Sequence, residues 1–314
     1  MTTTRADSPA APLAAQIEGW SPEPVARVDE LDCDAALSLH DLLALHGLPV
    51  ADQAPHSDGT LQPLHHWVYF QSWPALSSLG ADGHPRAGGL LPPLHDRRRM
   101  FAGGRCTFHA PLHFGEQATA TSSLVKNTIK SGRSGELLFV TVQTTITQNQ
   151  RLCITDEQDL VYRSGQQQPV AAAAPAAAPE PPQTEQPQAE PATGQRHVSF
   201  DPVTLFRFST LTANSHRIHY DQAYAREVEG YASLLVHGPL LVLSMAEVLR
   251  GARPGELATL SYRLRQPVFS GESVDISLTA THGNAAAQAT ILDPAGGLRA
   301  SAEAQFDHET AGRS

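Results

Sequence analysis

The sequence predicts an α+β protein built from two similar units and a linker, and three observations carry that expectation. A helix-like stretch followed by a run of antiparallel strands occurs in each half of the chain. Between the halves lies PVAAAAPAAAPEPPQTEQPQAEPATGQ, whose Pro, Ala, Gln and Glu cannot bury a core. A short echo links the halves: PLHFGE at 111–116 and PVFSGE at 267–272 place Pro, Gly and Glu at the same offsets, each as a turn between strand-like runs. At 314 residues there is length for two ordinary domains. The expected boundaries are 17–165 for the first unit, 166–195 for a disordered, semi-extended linker, and 196–309 for the second unit.

In chain order, residues up to about Gln16 read as disordered. From Ile17 to Val50 the sequence reads as increasingly helical, and DELDCDAALSLHDLLALHG carries apolar residues at three- and four-residue spacing, with Asp29 or Asp32 as cap and Gly47 with Pro49 as stop. It reads either as the central helix of the first unit or as a helix entering it. HHWVYFQSW reads as an aromatic-rich strand or helix, and LGADGHPRAGGLLPP as turn chemistry throughout. A long irregular stretch inside a compact domain is often functional, so this one is expected to cover substrate. Strands follow in RRRMFAGGRCTFHAPL, EQATATSSLVKNTIK, GELLFVTVQTTITQN and LCITDEQDLVYR. The second unit opens with HVSFDPVTLFRFSTL, read as a strand, and closes with strands in ELATLSYRLRQPVF, ESVDISLTATH, AAAQATILDP and GLRASAEAQF.

The stretch between these, FSTLTANSHRIHYDQAYAREVEGYASLLVHGP at 208–239, organises the rest. After His219, Tyr-Asp and a polar segment predict a short surface helix or an ordered loop. After His237, Gly-Pro leads into LLVLSMAEVLRG, apolar on nearly every side and so a buried helix, with Pro239 in its first turn and Gly251 at its C-cap. Gly238 leaves free N–H groups at the positive end of that helix, a place for a developing anion. Asn214, His219 and this helix start form a candidate active site.

These residues resemble the hydratase motif of the MaoC-like hot-dog enzymes, F-A-x-L-S-G-D-x-N-P-x-H-x-D, and LLVHGPL resembles their I-V-H-G-M-L segment. Aligned without gaps, Phe208, Leu211, His219 and Asp221 match, as do His237 and Gly238. The family's catalytic Asp falls on Asn214 and its Asn-Pro on His216-Arg217. The form with Asn resembles the branch of type 2 3-hydroxyacyl-thioester dehydratases and mesaconyl- and itaconyl-CoA hydratases; RRRMFAGGRCTFHAPLHFGE and DLVYR resemble the N-terminal half of the same branch. The resemblance implies a double hot-dog, each sheet wrapped round a central helix, with the active site in the second unit and a first unit that is non-catalytic and binds substrate or CoA. The implied activity is reversible addition of water to a 2,3-unsaturated acyl-CoA, with mesaconyl- or itaconyl-CoA hydrated to citramalyl-CoA as the preferred reaction. A 3-hydroxyacyl-ACP dehydratase of fatty-acid or polyketide synthesis is the rival enzyme, and a non-catalytic acyl-thioester-binding protein is the rival outside catalysis. A thioesterase would use a carboxylate near the helix where this chain has His-Gly-Pro.

Hydration needs a group that moves a proton and a donor that stabilises the enolate-like thioester oxygen. His219 suits the first task near neutral pH. The Gly238 N–H suits the second, and Asn214 can hold water or hydroxyl through its amide. His216, Arg217 and His237 are expected at the substrate, His237 chiefly to orient the loop. The cluster of Arg97, Arg98, Arg99 and Arg105 is expected to meet CoA phosphates or a substrate carboxylate, against the alternative of a charged strand edge.

Composition narrows the remaining classes. A net charge of -10 argues against nucleic acid, and no run approaches the roughly 20 apolar residues of a membrane span. Cys33, Cys106 and Cys153 are widely spaced, which predicts a reduced, cytoplasmic setting, and MTTTRADSPAAPLAAQ lacks the apolar core of a signal peptide. His65, His66 and His95 have no metal-ligand partner at convincing spacing, so neither metal nor cofactor is expected beyond the CoA carried by the substrate. A homodimer of double hot-dog chains is the expected assembly.

Overall fold

The computed structural model describes residues 12–50, 59–94, 98–132, 135–163, 195–252, 255–280 and 286–307. The expected linker falls outside them except for Gln195, as do Arg97 and His95. The first half comprises α1 (Leu13–Gln16), β1 (Val25–Asp29), α2 (Cys33–Ala44), β2 (Arg98–Phe108), β3 (Ala118–Gly132), β4 (Gly135–Gln148) and β5 (Arg151–Arg163). The second comprises β6 (Arg196–Val198), α3 (Pro202–Leu211), α4 (Gln222–Glu227), α5 (Gly238–Ala252), β7 (Leu257–Leu264), β8 (Val274–Ala280), β9 (Ala286–Leu292) and β10 (Leu298–Phe306). Residues 12–16 depart from the disorder expected of them: Leu13 is buried beside Leu138, Val140 and Tyr162, and its N–H donates to Glu136 Oε2 at 2.9 Å.

The ten strands of the described residues form one antiparallel sheet in the order β1-β3-β4-β5-β2-β7-β10-β9-β8-β6. The order is the same read inward from either edge, with the units joined where Gly103 to Thr107 of β2 pair with Arg263 to Thr259 of β7. The turn echo marks this pseudo-two-fold. Gly115 (φ 71°) donates its N–H to Leu31 O, and Gly271 (φ 80°) donates to Phe200 O. Leu61 N–H meets Leu112 O at 2.8 Å, as Val236 N–H meets Val268 O at 2.9 Å.

The same correspondence settles the role of α2. Asp32 caps α2 through the Asp34 N–H, and Asp201 caps α3 through the Thr204 N–H, each just after a buried residue, Leu31 or Phe200. Thus α2 answers to α3 as an entering helix, and the two pack on each other. Asp201-Pro202 also explains why the strand read from HVSFDPVTLF ends at Val198: the pair is a cap followed by a first-turn proline.

Among the described residues, only the second unit carries a long central helix. Helix α5 lies on β7 to β10, where Ala287, Ala289, Ala300, Ala302 and Ala304 are fully buried and let it approach closely. In the first unit the corresponding chain makes a 3-10 turn at His65–Val68. Asp156, paired opposite Cys106 as Ala302 is opposite Tyr262, accepts a 2.8 Å hydrogen bond from Trp67 Nε1 there. Glu247 of α5 is buried, with Arg250 Nη1 at 2.8 Å and His65 of the first unit at 3.8 Å. Gly251 lies inside α5 rather than at its C-cap. A Cβ there would stand 2.8 Å from the Pro49 ring, so glycine serves the contact between units.

Candidate active site

Helix α3 ends at Leu211, and Ala213 (φ 46°) turns the chain out of it. Asn214 returns its N–H to Ser209 O at 2.8 Å, and its Oδ1 accepts the His216 N–H at 3.1 Å. This fixes the Asn214 carbonyl in the turn and leaves its amide nitrogen without a protein partner among the described residues. A 3-10 turn at Arg217–His219 follows, and Asp221 then caps α4, the short helix expected after Tyr-Asp.

His219 is buried, with Nδ1 at 2.9 Å from Leu235 O. A carbonyl only accepts, so Nδ1 carries the proton and Nε2 is the bare base. Burial, first among the causes, pushes the imidazole pKa down to about 4, so the ring is neutral at physiological pH. Its flat face stacks on His237, with centroids 3.7 Å apart and planes inclined by 18°. His237 Nε2 lies 2.9 Å from Ser209 Oγ, which fixes that ring beneath His219. His216 meets His219 at right angles, with ring centroids 5.6 Å apart. Burial and neighbouring imidazoles hold His216 and His237 below the usual histidine range as well.

Gly238 follows His237 at the start of α5. Pro239 has no N–H and Leu241 N–H bonds His237 O, so Gly238 presents an uncommitted donor beside His219. A Cβ at Gly238 would come within 2.4 Å of Leu264 Cδ1 and 2.9 Å of Phe101 Cδ1, from strands of the two units. Here β2 has left β7, since its residues before Gly103 pair only with β5. The sheet therefore opens beside the helix start.

The stretch read as substrate-covering turns lies over this site. Gly83 (φ 88°) is buried, and its carbonyl accepts from Ser215 Oγ at 2.5 Å. Asp82 O accepts the Arg217 N–H at 2.9 Å. The His84 ring sits 4.0 Å from His216 and extends the row His237, His219, His216. His84, Ser209 and Phe101 escaped the sequence reading, because nothing local to them says that they meet the motif.

The predicted arginines separate. Arg217 grips Asp221 Oδ2 through Nε at 3.0 Å and Nη2 at 2.7 Å, donates to Ala81 O, and lies over the Tyr224 ring. Arg98 pairs with Glu229 at 3.0 Å. Arg105 pairs across the strand with Glu157 and, at 3.6 Å, with Asp159, well away from the site on the exposed side of β2. Arg99 reaches the site: its Nη2 lies 3.0 Å from His84 Nε2.

Two groups of metal-ligating side chains converge among the described residues: His66, Cys106 and Asp156, and Asp82, His84 and His216. In the first, the Asp156 oxygens already accept from Trp67, Gln158 and Cys106. In the second, the Arg99 guanidinium occupies His84 Nε2 and His84 Nδ1 faces Asp82 at 3.2 Å. His216 joins the second group through its ring contact with His84.

Comparison with known proteins gives a consistent result. Residues 64–270 match the family model described as hydroxyacyl-thioester dehydratase type 2. The mesaconyl-C(4)-CoA hydratase of Chloroflexus aurantiacus is 40% identical over 278 residues, covering 85% of this chain and 95% of that protein. A mitochondrial hydroxyacyl-thioester dehydratase type 2 of Schizosaccharomyces pombe is 27% identical, covering 71% and 79% respectively. In fold, the chain resembles a MaoC-like dehydratase from Phytophthora capsici, with TM-score 0.62, 12% identity and coverage of 95% and 99%. It also resembles a Mycobacterium tuberculosis protein with a double hot-dog fold, at TM-score 0.51, 15% identity and coverage of 91% and 96%. The sheet, the long helix α5 and the motif geometry thus agree with the sequence matches: the chain is a double hot-dog member of the MaoC-like, type 2 hydroxyacyl-thioester dehydratase family.

Proposed function

We propose that this protein is a hydro-lyase that reversibly adds water to a 2,3-unsaturated acyl-CoA, and that its substrate is a short branched dicarboxylic enoyl thioester of the mesaconyl-CoA type. The relative at 40% identity, a mesaconyl-C(4)-CoA hydratase, supports the substrate class. The observation that carries the reaction is the pairing of a neutral His219, its Nε2 free, with the unspent Gly238 N–H. His219 Nε2 takes a proton from water as the oxygen attacks the carbon β to the thioester. The Gly238 N–H receives the charge that gathers on the thioester oxygen. The histidine proton then passes to the α carbon, so hydroxyl and hydrogen of one water are both delivered and the ring returns neutral. The Asn214 amide nitrogen holds the water or the product hydroxyl. With one water as the second reactant, the reaction needs no cofactor beyond the CoA of the substrate.

The first unit lacks this equipment. The position matching Val236 is Leu61, so Gln62 and Pro63 stand where the second unit has His237 and Gly238. A proline has no N–H to give an oxyanion. We assign the single active site to the second unit, with the first supplying the covering loop and one wall. The test is a hydration assay on crotonyl-, mesaconyl- and itaconyl-CoA read by mass: a gain of one water, absent in His219→Ala, is the expected result. No gain on any ester, with binding retained, would favour a carrier-protein substrate or a binding protein.

A further inference from the structure

The structure assigns Arg99 as the residue that binds a free carboxylate on the water-accepting carbon of the substrate and so selects dicarboxylic thioesters. The inference rests on the hydratase reading above. In a mesaconyl-C(4) thioester the carbon β to the thioester bears both a methyl group and the second carboxylate. That anion therefore lies one bond from the atom that water attacks, and a cation must meet it close to His219.

Of Arg98, Arg99 and Arg217, Arg99 alone has no carboxylate partner among the described residues. Arg98 is neutralised by Glu229 and Arg217 by Asp221. Arg99 instead donates Nη2 to His84 Nε2, a neutral acceptor, and keeps most of its donors unspent and solvent-facing. Its position follows from the strand. Arg99 and Phe101 lie on one face of β2, before the bulge at Ala102, and Phe101 reaches Gly238. That places Arg99 at the sheet opening beside the helix start. The contact with His84 ties it to the imidazole row that ends on His219 and His237. Asp82 fixes the ring: with Nε2 accepting from Arg99, His84 Nδ1 carries the proton and donates to Asp82 Oδ2 at 3.2 Å. The guanidinium fork is thus pre-aimed, and a planar fork matches a carboxylate in two hydrogen bonds. A linear fatty-acyl chain would meet an uncompensated charge in the same place.

The full-length protein and its Arg99→Gln and Arg99→Lys variants should be assayed with mesaconyl-C(4)-CoA and with the methyl ester of its free carboxylate. The expected result is a kcat/KM loss of roughly 100-fold on the acid in Arg99→Gln, carried mainly by KM, with the ester changed no more than a few-fold and Arg99→Lys intermediate. Equal losses on acid and ester, or no loss on either, would overturn the assignment. If the wild type hydrates neither thioester, the hydratase reading fails. Binding titrations of the same two thioesters then decide the role of Arg99: preference for the acid that disappears in Arg99→Gln upholds it, and equal binding overturns it.

Discussion

The Nδ1 of His219 lies 2.9 Å from the carbonyl oxygen of Leu235, and that contact decides which nitrogen can act. It holds the proton on Nδ1 and leaves Nε2 as the unprotonated nitrogen that the proposed mechanism uses. Because burial pushes the pKa down to about 4, the base is ready through the neutral range and is lost only as pH falls through that value. We expect the acid limb of kcat/KM near pH 4, not near the ordinary histidine value of about 6.5. A limb at 6.5 would mean that a different group is the base. His219→Gln should lower kcat by about 1,000-fold or more, with substrate binding retained.

Gly83 and Ser215 predict how the covering loop is held. Gly83 has φ 88°, and a Cβ there would stand 1.9 Å from Ser215 O. Gly83→Ala must therefore push the loop off residues 215–217, taking His84 and its grip on Arg99 with it. The sheet and α5 lie outside this contact. The expected outcome is a loss of roughly 10- to 100-fold in kcat/KM with a melting temperature lowered by only a few degrees. Unchanged kinetics would show that the loop takes no part in the reaction.

The motif was legible in the sequence because its parts are local. His219, Asn214 and Gly238 lie within one stretch, and caps such as Asp221 and first-turn Pro239 announce the elements that hold them. Most of the strand pattern was equally legible, although residues 202–211, read as strand, form α3 and the Ile17–Val50 stretch, read as helical, contains β1; the PLHFGE and PVFSGE turns do occupy matching corners of the sheet. What local reading missed comes from contacts between distant segments. Helix α2 fits the pattern of a central or an entering helix alike, and its Asp32 cap, matched by Asp201, decides for the entering one. The arginines of β2 looked alike until partners from elsewhere, Glu229, Glu157 and His84, sorted them. Gly251 carried a plausible C-cap signal, but Pro49 explains it.

Asn214 does two separable things, and two substitutions divide them. Its Oδ1 accepts the His216 N–H at 3.1 Å, while its amide nitrogen is left for water. Asn214→Asp keeps the acceptor and removes the donor. It should leave thermal stability within about 0.5 kcal/mol and change kcat by about 10-fold or more. Asn214→Ala removes both, and should cost on the order of 1 kcal/mol of stability as well as turnover. Equal kinetics in wild type and both variants would reduce Asn214 to a turn residue.

The imidazole row also fixes the sign of the pH dependence of stability. His219, His216 and His237 all have folded pKa values below 6.5, chiefly through burial. Above 6.5 they are neutral whether folded or unfolded, and their contribution is fully present. As pH falls below 6.5, the unfolded chain takes up protons that the folded one refuses, so stability is lost; for His219 the loss continues down to about 4. Asp156 and Glu247, with folded pKa values held below their ordinary ones, add losses only at lower pH. Urea unfolding between pH 8 and 5 should show a flat region down to about 6.5 and a steady decline beneath it. His216→Asn, which takes one depressed imidazole out of the row, should make that decline shallower. A decline of equal slope in the variant would place the responsible protons elsewhere.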